Sequence, residues 1–216
     1  MKVLVIGANG QIGKSLITYM KDHAYITPVA MVRNEEQVAY FEEQGVKAVV
    51  GDLERGADRI AQAALGCTAM VFTAGSGPHT GADKTLLVDL DGAVKSMEAA
   101  RTIGMKRYVM VSSFDTTREA IQESSRDFAP YVVAKHYADD WLRKGKLDWT
   151  IVHPGLLTNN PGSGKVKVGS HVGRDEVPRE DVAKVLLACL ENESTIGKEF
   201  QVVRGDVDVT EAIRSL

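Results

Sequence analysis

A tyrosine and a lysine spaced four residues apart, Tyr131 and Lys135, are the clearest candidates for chemistry in this sequence. On a helix these positions lie on one face, so the positive charge of the lysine stabilises the phenolate form of the tyrosine. Such a pair suits proton transfer to or from a substrate oxygen. Ser112 and Ser113 end the strand-like run before this helix, and a hydroxyl from either could hydrogen-bond the same oxygen. The alternative is that Tyr131 and Lys135 only bind a ribose or pack a helix.

A glycine-rich turn near the start of the chain is a candidate phosphate-binding site. Three glycines spaced three residues apart follow a short apolar run and begin a helix-like stretch. A turn this tight needs residues without a Cβ, and the free N–H groups of the helix then face an anion such as a pyrophosphate. Its place at the first strand–helix junction is typical of dinucleotide binding. The candidate cofactor contacts of this turn are Gly7, Asn9, Gly10, Gln11, Ile12 and Gly13.

The residue after the second strand indicates which dinucleotide is favoured. A carboxylate there binds the adenosine ribose of NAD and repels the 2′-phosphate of NADP, but this chain has Arg33, about 20 residues after the glycine turn. A guanidinium forms charge-assisted hydrogen bonds with phosphate, so NADP is favoured, with NAD as the alternative. Asp52 and Leu53 follow the third strand and are candidates to bind the adenine amino group and ring. The alternative for Asp52 is a turn or a helix cap.

Strand-like and helix-like segments alternate along the chain, and this alternation brings the candidate residues together. The predicted strands are 3–6, 27–32, 46–50, 69–73, 107–112, 148–152 and 199–203. The predicted helices are 11–23, 35–44, 57–65, 86–103, 131–144, 182–190 and 210–214. Repeated βα units predict an α/β protein, a single doubly wound Rossmann domain over residues 1–216 with a parallel sheet and short C-terminal substrate-side segments. Two stretches without a clear period, about 114–130 and 156–177, are candidates for its substrate-side loops.

The composition is that of an ordinary globular protein, with 44% hydrophobic and 25% charged residues and a formal net charge of −3. The charge argues against nucleic-acid binding, which usually needs a basic surplus. Cys67 and Cys189 are predicted to be reduced, buried thiols. The sequence has no histidine pattern typical of a metal site, no apolar stretch of membrane length and no visible signal peptide. We therefore expect a cytoplasmic protein with no bound metal and no membrane partner, whose oligomeric state the sequence leaves open.

Taken as a set, these motifs resemble those of the short-chain dehydrogenase/reductase superfamily. The similarity is strongest to its atypical NAD(P)H-binding branch, which is related to the NAD-dependent epimerases and dehydratases. It covers nearly the whole chain and rests on Gly7-xx-Gly10-xx-Gly13, Val32-Arg33, Gly51-Asp52-Leu53, Val88-Asp-Leu-Asp-Gly92, Tyr108-Val-Met-Val-Ser-Ser113, Tyr131-xxx-Lys135, His153-Pro-Gly155 and Arg179-Glu-Asp-Val182. The set is specific to the superfamily and does not specify one substrate.

The resemblance implies a role for each matching position. Tyr131 would be the general acid/base and Lys135 its partner, while the serine role falls on Ser113 or Ser112. The remaining implied cofactor positions are Thr73, Ala74, Gly75, Ser112, Lys135, Pro154, Gly155 and Leu156.

The chain departs from the family pattern at two positions and in length. His153 stands where the family often has arginine, which removes any contact that arginine makes. Phe114 stands where extended epimerases often have a polar residue, which makes the serine role less secure than the tyrosine role. Extended enzymes also have a longer C-terminal substrate domain, so we do not expect a nucleotide-sugar site of the usual size here.

Together these features predict an NADP-dependent oxidoreductase that acts on a small carbonyl or related substrate. Two alternatives stay open. One is an epimerase/dehydratase-like enzyme that oxidises and re-reduces a single substrate with a retained cofactor. The other is a non-catalytic sensor or regulatory protein that only binds NADP. The sequence does not identify the substrate.

Overall fold

The strands form where short runs of apolar residues are buried on both faces of a sheet. In the computed structural model, which describes residues 1–77 and 79–216, β1 shows this alternation: Val3 and Val5 face one core, and Leu4 and Ile6 face the other. The strands are β1 (Lys2–Ile6), β2 (Thr27–Val32), β3 (Lys47–Val50), β4 (Ala69–Phe72), β5 (Arg107–Val111), β6 (Asp148–Pro154), β7 (Leu156–Thr158), β8 (Lys165–Gly169), β9 (Glu176–Pro178), β10 (Lys198–Arg204) and β11 (Val207–Asp208).

The central sheet has the strand order β11-β8-β10-β6-β5-β4-β1-β2-β3 among the described residues. The neighbouring pairs from β3 to β6 are parallel, and their order is that of a doubly wound Rossmann fold, which confirms the predicted fold class. Strand β10 extends the sheet in parallel beside β6. Strands β8 and β11 then add an antiparallel edge, so the sheet is mostly rather than wholly parallel.

Helices cover both faces of this sheet. They are α1 (Gln11–Lys21), α2 (Glu35–Glu42), α3 (Ala57–Ala63), α4 (Ala82–Lys84), a π-helical segment (Thr85–Gly92), α5 (Ala93–Thr102), α6 (Arg118–Glu123), α7 (Ala129–Lys144), α8 (Arg179–Glu191), a 3₁₀ turn (Glu193–Thr195) and α9 (Val209–Arg214). Helices α1, α2, α8 and α9 pack on one face, and α3, α5 and α7 on the other. Within the described ranges, every helix is too short or too polar to cross a membrane.

The two stretches that the sequence leaves without a period contain regular structure. Helix α6 and the first two residues of α7 lie within 114–130. Strands β7 and β8 lie within 156–177, and β9 begins there and ends at Pro178. Strands β7 and β9 pair with each other in a separate two-stranded sheet, and β8 joins the main sheet. These elements are short, which is why their periodicity is too weak to predict. They follow β5 and β6, at the edge of the sheet where the candidate active-site residues lie.

Candidate functional site

A cleft of about 370 Å³ opens at the carboxyl ends of β1 to β4, where the strand order reverses between β1 and β4. Open α/β sheets bind ligands at this point, and the volume lies within the ~300–1,000 Å³ typical of small-molecule sites. The predicted cofactor residues that line the cleft are Gly7, Asn9, Gly10, Arg33, Asp52, Leu53, Thr73, Ala74 and Gly75. The predicted residues outside its lining are Gln11, Ile12, Gly13, Ser112, Lys135, Pro154, Gly155 and Leu156.

The glycines of the first turn are required by close backbone packing. Gly7 has a φ of +81°, and a Cβ there would lie 2.6 Å from the backbone nitrogen of Ala74. A Cβ on Gly13 would collide with the carbonyl oxygen of Gly7. Gly10 donates its N–H to the Gly7 carbonyl at 2.9 Å and is itself exposed. Gly7 and Gly13 therefore shape the turn, while Gly10 presents bare backbone to the cleft.

The N-terminus of α1 is open to an anion. Its N-cap, Gly10, provides no side-chain hydrogen bond, and the first turn contains no acidic residue. The N–H groups of Gln11, Ile12 and Gly13 have no acceptor among the described residues. The first turn of helix α8, in contrast, contains two acidic residues. Because the first amides of a helix favour negative charge, this end of α1 fits the diphosphate of a dinucleotide.

Arg33 lines the cleft directly after β2 and is exposed. Its backbone N–H donates to the side chain of Gln37 at 2.9 Å, and Asn34 caps α2 by accepting from the Gln37 N–H. These bonds fix the backbone around Arg33 and leave the guanidinium free to bind a ligand.

Asp52 and Leu53 also lie in the cleft wall, after β3. One oxygen of Asp52 accepts the N–H of Glu54 at 2.9 Å, so this carboxylate stabilises its own turn. Leu53 is 9% exposed and presents an apolar surface to the cleft. The rest of the Leu53 side chain packs in the core beneath the cleft, which fixes the position of this apolar surface.

Tyr131 and Lys135 share a face of α7, and the lysine nitrogen lies 5.7 Å from the tyrosine ring centre. Lys135 is 3% exposed, and its Nζ lies 3.3 Å from Oδ1 of Asp89, a fully buried residue of the π-helical segment. The other oxygen of Asp89 accepts the N–H of Ser76, which lines the cleft. Burial alone lowers the pKa of Lys135, but Tyr131, Asp89 and Asp139 raise it above its ordinary value, so the lysine is held as a cation.

The two candidate serines have different environments, and Ser112 is the buried one. Its hydroxyl donates to Oδ2 of Asp139 at 2.8 Å, and the Thr116 hydroxyl donates to the same oxygen at 2.8 Å. Asp139 lies four residues after Lys135 on α7, and its Oδ1 has no hydrogen-bond partner among the described residues. Burial raises the pKa of Asp139, although His153 and the two hydroxyls act in the opposite direction. The Ser112 hydroxyl is therefore committed to Asp139.

Ser113 is half-buried, and His153 holds its backbone. The carbonyl of Ser113 lies 2.7 Å from Nδ1 of His153, and Nε2 of His153 lies 3.2 Å from Glu199, which also accepts from Arg143 at 2.7 Å. Burial alone lowers the pKa of His153, but Glu199, Asp139 and the Ser113 carbonyl raise it. Hydrogen bonds from His153 and Arg143 lower the pKa of Glu199 to about 2. Thus His153 and Glu199 form an ion pair behind Ser113.

The segment after β6 combines a buried turn with an exposed apolar side chain. Pro154 and Gly155 are buried, and a Cβ on Gly155 would collide with the carbonyl oxygen of Asp175. Leu156 donates its N–H to that same carbonyl at 3.0 Å while its side chain is 71% exposed. The absence of a side chain at Gly155 thus allows the segment before β9 to pack against the end of β6.

Comparison with known proteins identifies the family to which this architecture belongs. The model of a family described as NAD(P)H-binding matches residues 7–193. The chain belongs to this NAD(P)H-binding family. It is 47% identical over 217 residues to the uncharacterized sugar epimerase YhfK of Bacillus subtilis strain 168, and all of both chains is covered.

Two solved structures are similar to the present chain over its whole length. One is a Bacillus halodurans protein provisionally assigned as an NAD-dependent epimerase/dehydratase, with a TM-score of 0.93, 43% identity and complete coverage of both chains. The other is the oxidoreductase ylbE of Lactococcus lactis, with a TM-score of 0.89, 30% identity and coverage of 100% of this chain and 96% of that one. These relatives support the predicted placement in the epimerase-related branch of the short-chain dehydrogenases/reductases.

Sequence reasoning missed two buried carboxylates beside the candidate site, Asp89 and Asp139. Asp139 could have been found, because it continues the four-residue spacing of Tyr131 and Lys135 on one face of α7. The sequence gives no such signal for Asp89. The same motif also contains Asp91, which is exposed in the structure, and the motif does not show which aspartate is buried. An ion pair of 2.6 Å between Lys84 and Glu54, both lining the cleft, was also not predicted.

Proposed function

We propose that this protein is an NADP-dependent oxidoreductase that transfers a hydride between the cofactor and a small carbonyl substrate. The observation that carries the proposal is the position of the Tyr131–Lys135 pair: Lys135 forms an ion pair with Asp89, whose other oxygen accepts the N–H of Ser76 in the wall of the cleft. A tyrosine that only packed a helix would not need a buried cation beside its ring.

The proposed cofactor site runs along the carboxyl ends of the strands. The amides at the start of α1 would hold the diphosphate, Arg33 the 2′-phosphate, and Leu53 the adenine ring. The positions proposed for the nicotinamide end are Thr73, Ala74, Gly75, Ser112, Lys135, Pro154, Gly155 and Leu156. When bound, the nicotinamide supplies or accepts the hydride.

Tyr131 is proposed as the general acid/base in this reaction. In the direction of reduction its hydroxyl donates a proton to the substrate oxygen as negative charge develops there. The cation of Lys135, 5.7 Å from the ring centre, stabilises the phenolate that remains. Ser113 is the better candidate to hydrogen-bond the substrate oxygen, because the Ser112 hydroxyl already donates to Asp139.

Replacement of Tyr131 tests this proposal. We expect Tyr131→Phe to lower the rate of NADPH-dependent aldehyde reduction by about 10²–10⁴-fold, the usual contribution of a positioned acid/base, with little change in the Kd for NADPH. Tyr137→Phe is a matched control, because Tyr137 lies on the exposed face of the same helix. If Tyr131→Phe and the control turn over equally fast, Tyr131 is not the proton donor.

The names of the relatives favour a second candidate, an epimerase-like reaction in which the cofactor is oxidised and re-reduced on one substrate. This candidate predicts that the purified protein retains a tightly bound nicotinamide nucleotide and converts substrate without net consumption of NADPH. Absorbance at the reduced-nicotinamide band during turnover distinguishes the two, because the oxidoreductase depletes that band and the epimerase does not.

A further inference from the structure

Gln201, on β10, ties together the two segments that follow β5 and β6. Its Nε2 donates to the carbonyl of Phe114 at 2.9 Å, and its Oε1 accepts the N–H of Val172 at 2.9 Å. One amide side chain therefore fixes the start of the 114–130 stretch and the end of the 156–177 stretch in a single arrangement.

A second bond fixes the residues just beyond Val172. The carbonyl of Asp175 accepts the N–H of Leu156 and packs against Gly155 at the end of β6. The backbone on both sides of Arg174 is thus held, on one side by Gln201 and on the other by Leu156. These bonds fix the backbone position of Arg174, and that position does not depend on the Arg174 side chain.

The guanidinium of Arg174 lies over the ring of Phe114, 5.4 Å from its centre, and the residue is exposed. Among the described residues, no carboxylate forms an ion pair with it. The nearby carboxylate of Asp115 is engaged by Thr117, whose N–H and hydroxyl donate to Oδ1 at 2.9 and 2.7 Å. Stacking on an aromatic ring leaves the N–H groups at the guanidinium edge free to bind an oxyanion.

Two large apolar side chains in the segments that follow β5 and β6 are exposed to solvent. Leu156 is 71% exposed, and Phe128 is 51% exposed with its ring centre 5.3 Å from that of Tyr131. Leu156 lies close to Arg174 along the backbone, because its N–H donates to the carbonyl of Asp175, the residue after Arg174. A fixed cation with an exposed apolar side chain beside it fits a ligand with an apolar body and an anionic group.

We propose that Arg174 binds the carboxylate of an apolar, aromatic-sized carbonyl substrate, with its body against Phe114 and Leu156. The inference deepens the proposed oxidoreductase function and rests on it for the identity of the reacting carbonyl. The anion site itself depends only on the placement of Arg174.

Calorimetric binding of two matched probes to protein saturated with NADP⁺ tests the anion site. We expect 4-carboxybenzaldehyde to bind about tenfold more tightly than its uncharged methyl ester, methyl 4-formylbenzoate. Arg174→Gln should abolish this preference, and Arg174→Lys should restore part of it. Lys146→Gln, an exposed charge change before the start of β6 at the opposite edge of the sheet, should leave it intact.

Several outcomes overturn the proposal: equal affinity of the wild type for both probes, absence of binding by either, or a preference that persists in Arg174→Gln. A raised Kd for NADPH in Arg174→Gln would also overturn it, since Arg174 would then belong to the cofactor site. NADPH oxidation with the same probes tests the proposed function separately. A carboxylate preference in binding without any turnover would reject the reductase and retain the anion site.

Discussion

Arg33 is the single residue on which the proposed preference for NADP depends. It lines the cleft after β2, and Gln37 holds its backbone, so the point from which the side chain extends is fixed. The two acidic residues that follow it, Glu35 and Glu36, are exposed in the first turn of α2 and do not pair with it. A charge-assisted hydrogen bond contributes about 1.5–3 kcal/mol. That range corresponds to roughly a tenfold to a hundredfold change in affinity.

We therefore expect Arg33→Ala to weaken NADPH binding by about tenfold to a hundredfold and to leave NADH binding nearly unchanged. Fluorescence titration with each nucleotide measures both values. Arg59→Ala, which removes an exposed arginine from α3, is the matched control. An equal loss of affinity for the two nucleotides would contradict the 2′-phosphate role.

Some residues of the candidate site could be predicted because backbone or helix geometry alone accounts for their type or spacing. Glycine at position 7 is demanded by its positive φ, and the Tyr131–Lys135 spacing follows from helix geometry alone. The engagement of Ser112 with Asp139 was not predictable, because it depends on where α7 packs against the end of β5. Sequence order sets which residues end a strand, but only tertiary packing decides which hydroxyl is free.

At the scale of elements, the contact between the π-helical segment and α7 positions the proposed catalytic lysine. The sequence predicts a helix over 86–103, whereas the structure has α4, the π-helical segment and α5 in succession over 82–102. Periodicity does not reveal where a helix widens, and such widened turns are frequent at functional sites. The π-helical segment holds Asp89 fully buried, 3.3 Å from Lys135 on α7.

Removing the charge of Asp89 tests this contact. Asp89→Asn removes the ion-pair partner of the buried Lys135 ammonium, and breaking such a pair costs about 3–5 kcal/mol. We expect a fall of about 3 kcal/mol in the free energy of unfolding, measured by urea denaturation. The double variant Asp89→Asn with Lys135→Met should recover part of this loss, because neither member of the pair is then charged. A single variant as stable as the wild type would show that the two charges do not interact.

At the scale of the whole molecule, the ion pair of His153 and Glu199 connects elements that are distant in sequence. It joins β6 to β10, reaches α7 through Arg143, and holds the carbonyl of Ser113 after β5. The sequence predicts these strands from their apolar runs, but not that β10 would lie beside β6, because strand order is set by packing. The antiparallel edge of β8 and β11 is beyond prediction for the same reason.

This ion pair gives the fold a defined pH dependence. The pKa of His153 is raised above its ordinary value of 6.5, so its contribution to stability is complete below that pH and is lost as pH rises through the folded-state pKa. The pKa of Glu199 is lowered from 4.5 to about 2, so its contribution is present above pH 4.5 and is lost as pH falls toward 2. The stabilisation is therefore greatest between pH 4.5 and pH 6.5, the ordinary pKa values of Glu199 and His153, and it declines as the pH rises further.

We expect His153→Gln to lower the free energy of unfolding by about 1.5–3 kcal/mol at pH 6, the value of hydrogen bonds to charged groups. The difference from the wild type should shrink as the pH is raised toward 9, because the wild-type histidine then loses its charge while glutamine has none to lose. Urea denaturation across this range measures both curves, with the exposed His171→Gln as control. Parallel curves for His153→Gln and the wild type would mean that His153 does not titrate against Glu199 in the folded protein, and the lost stability would then reflect packing alone.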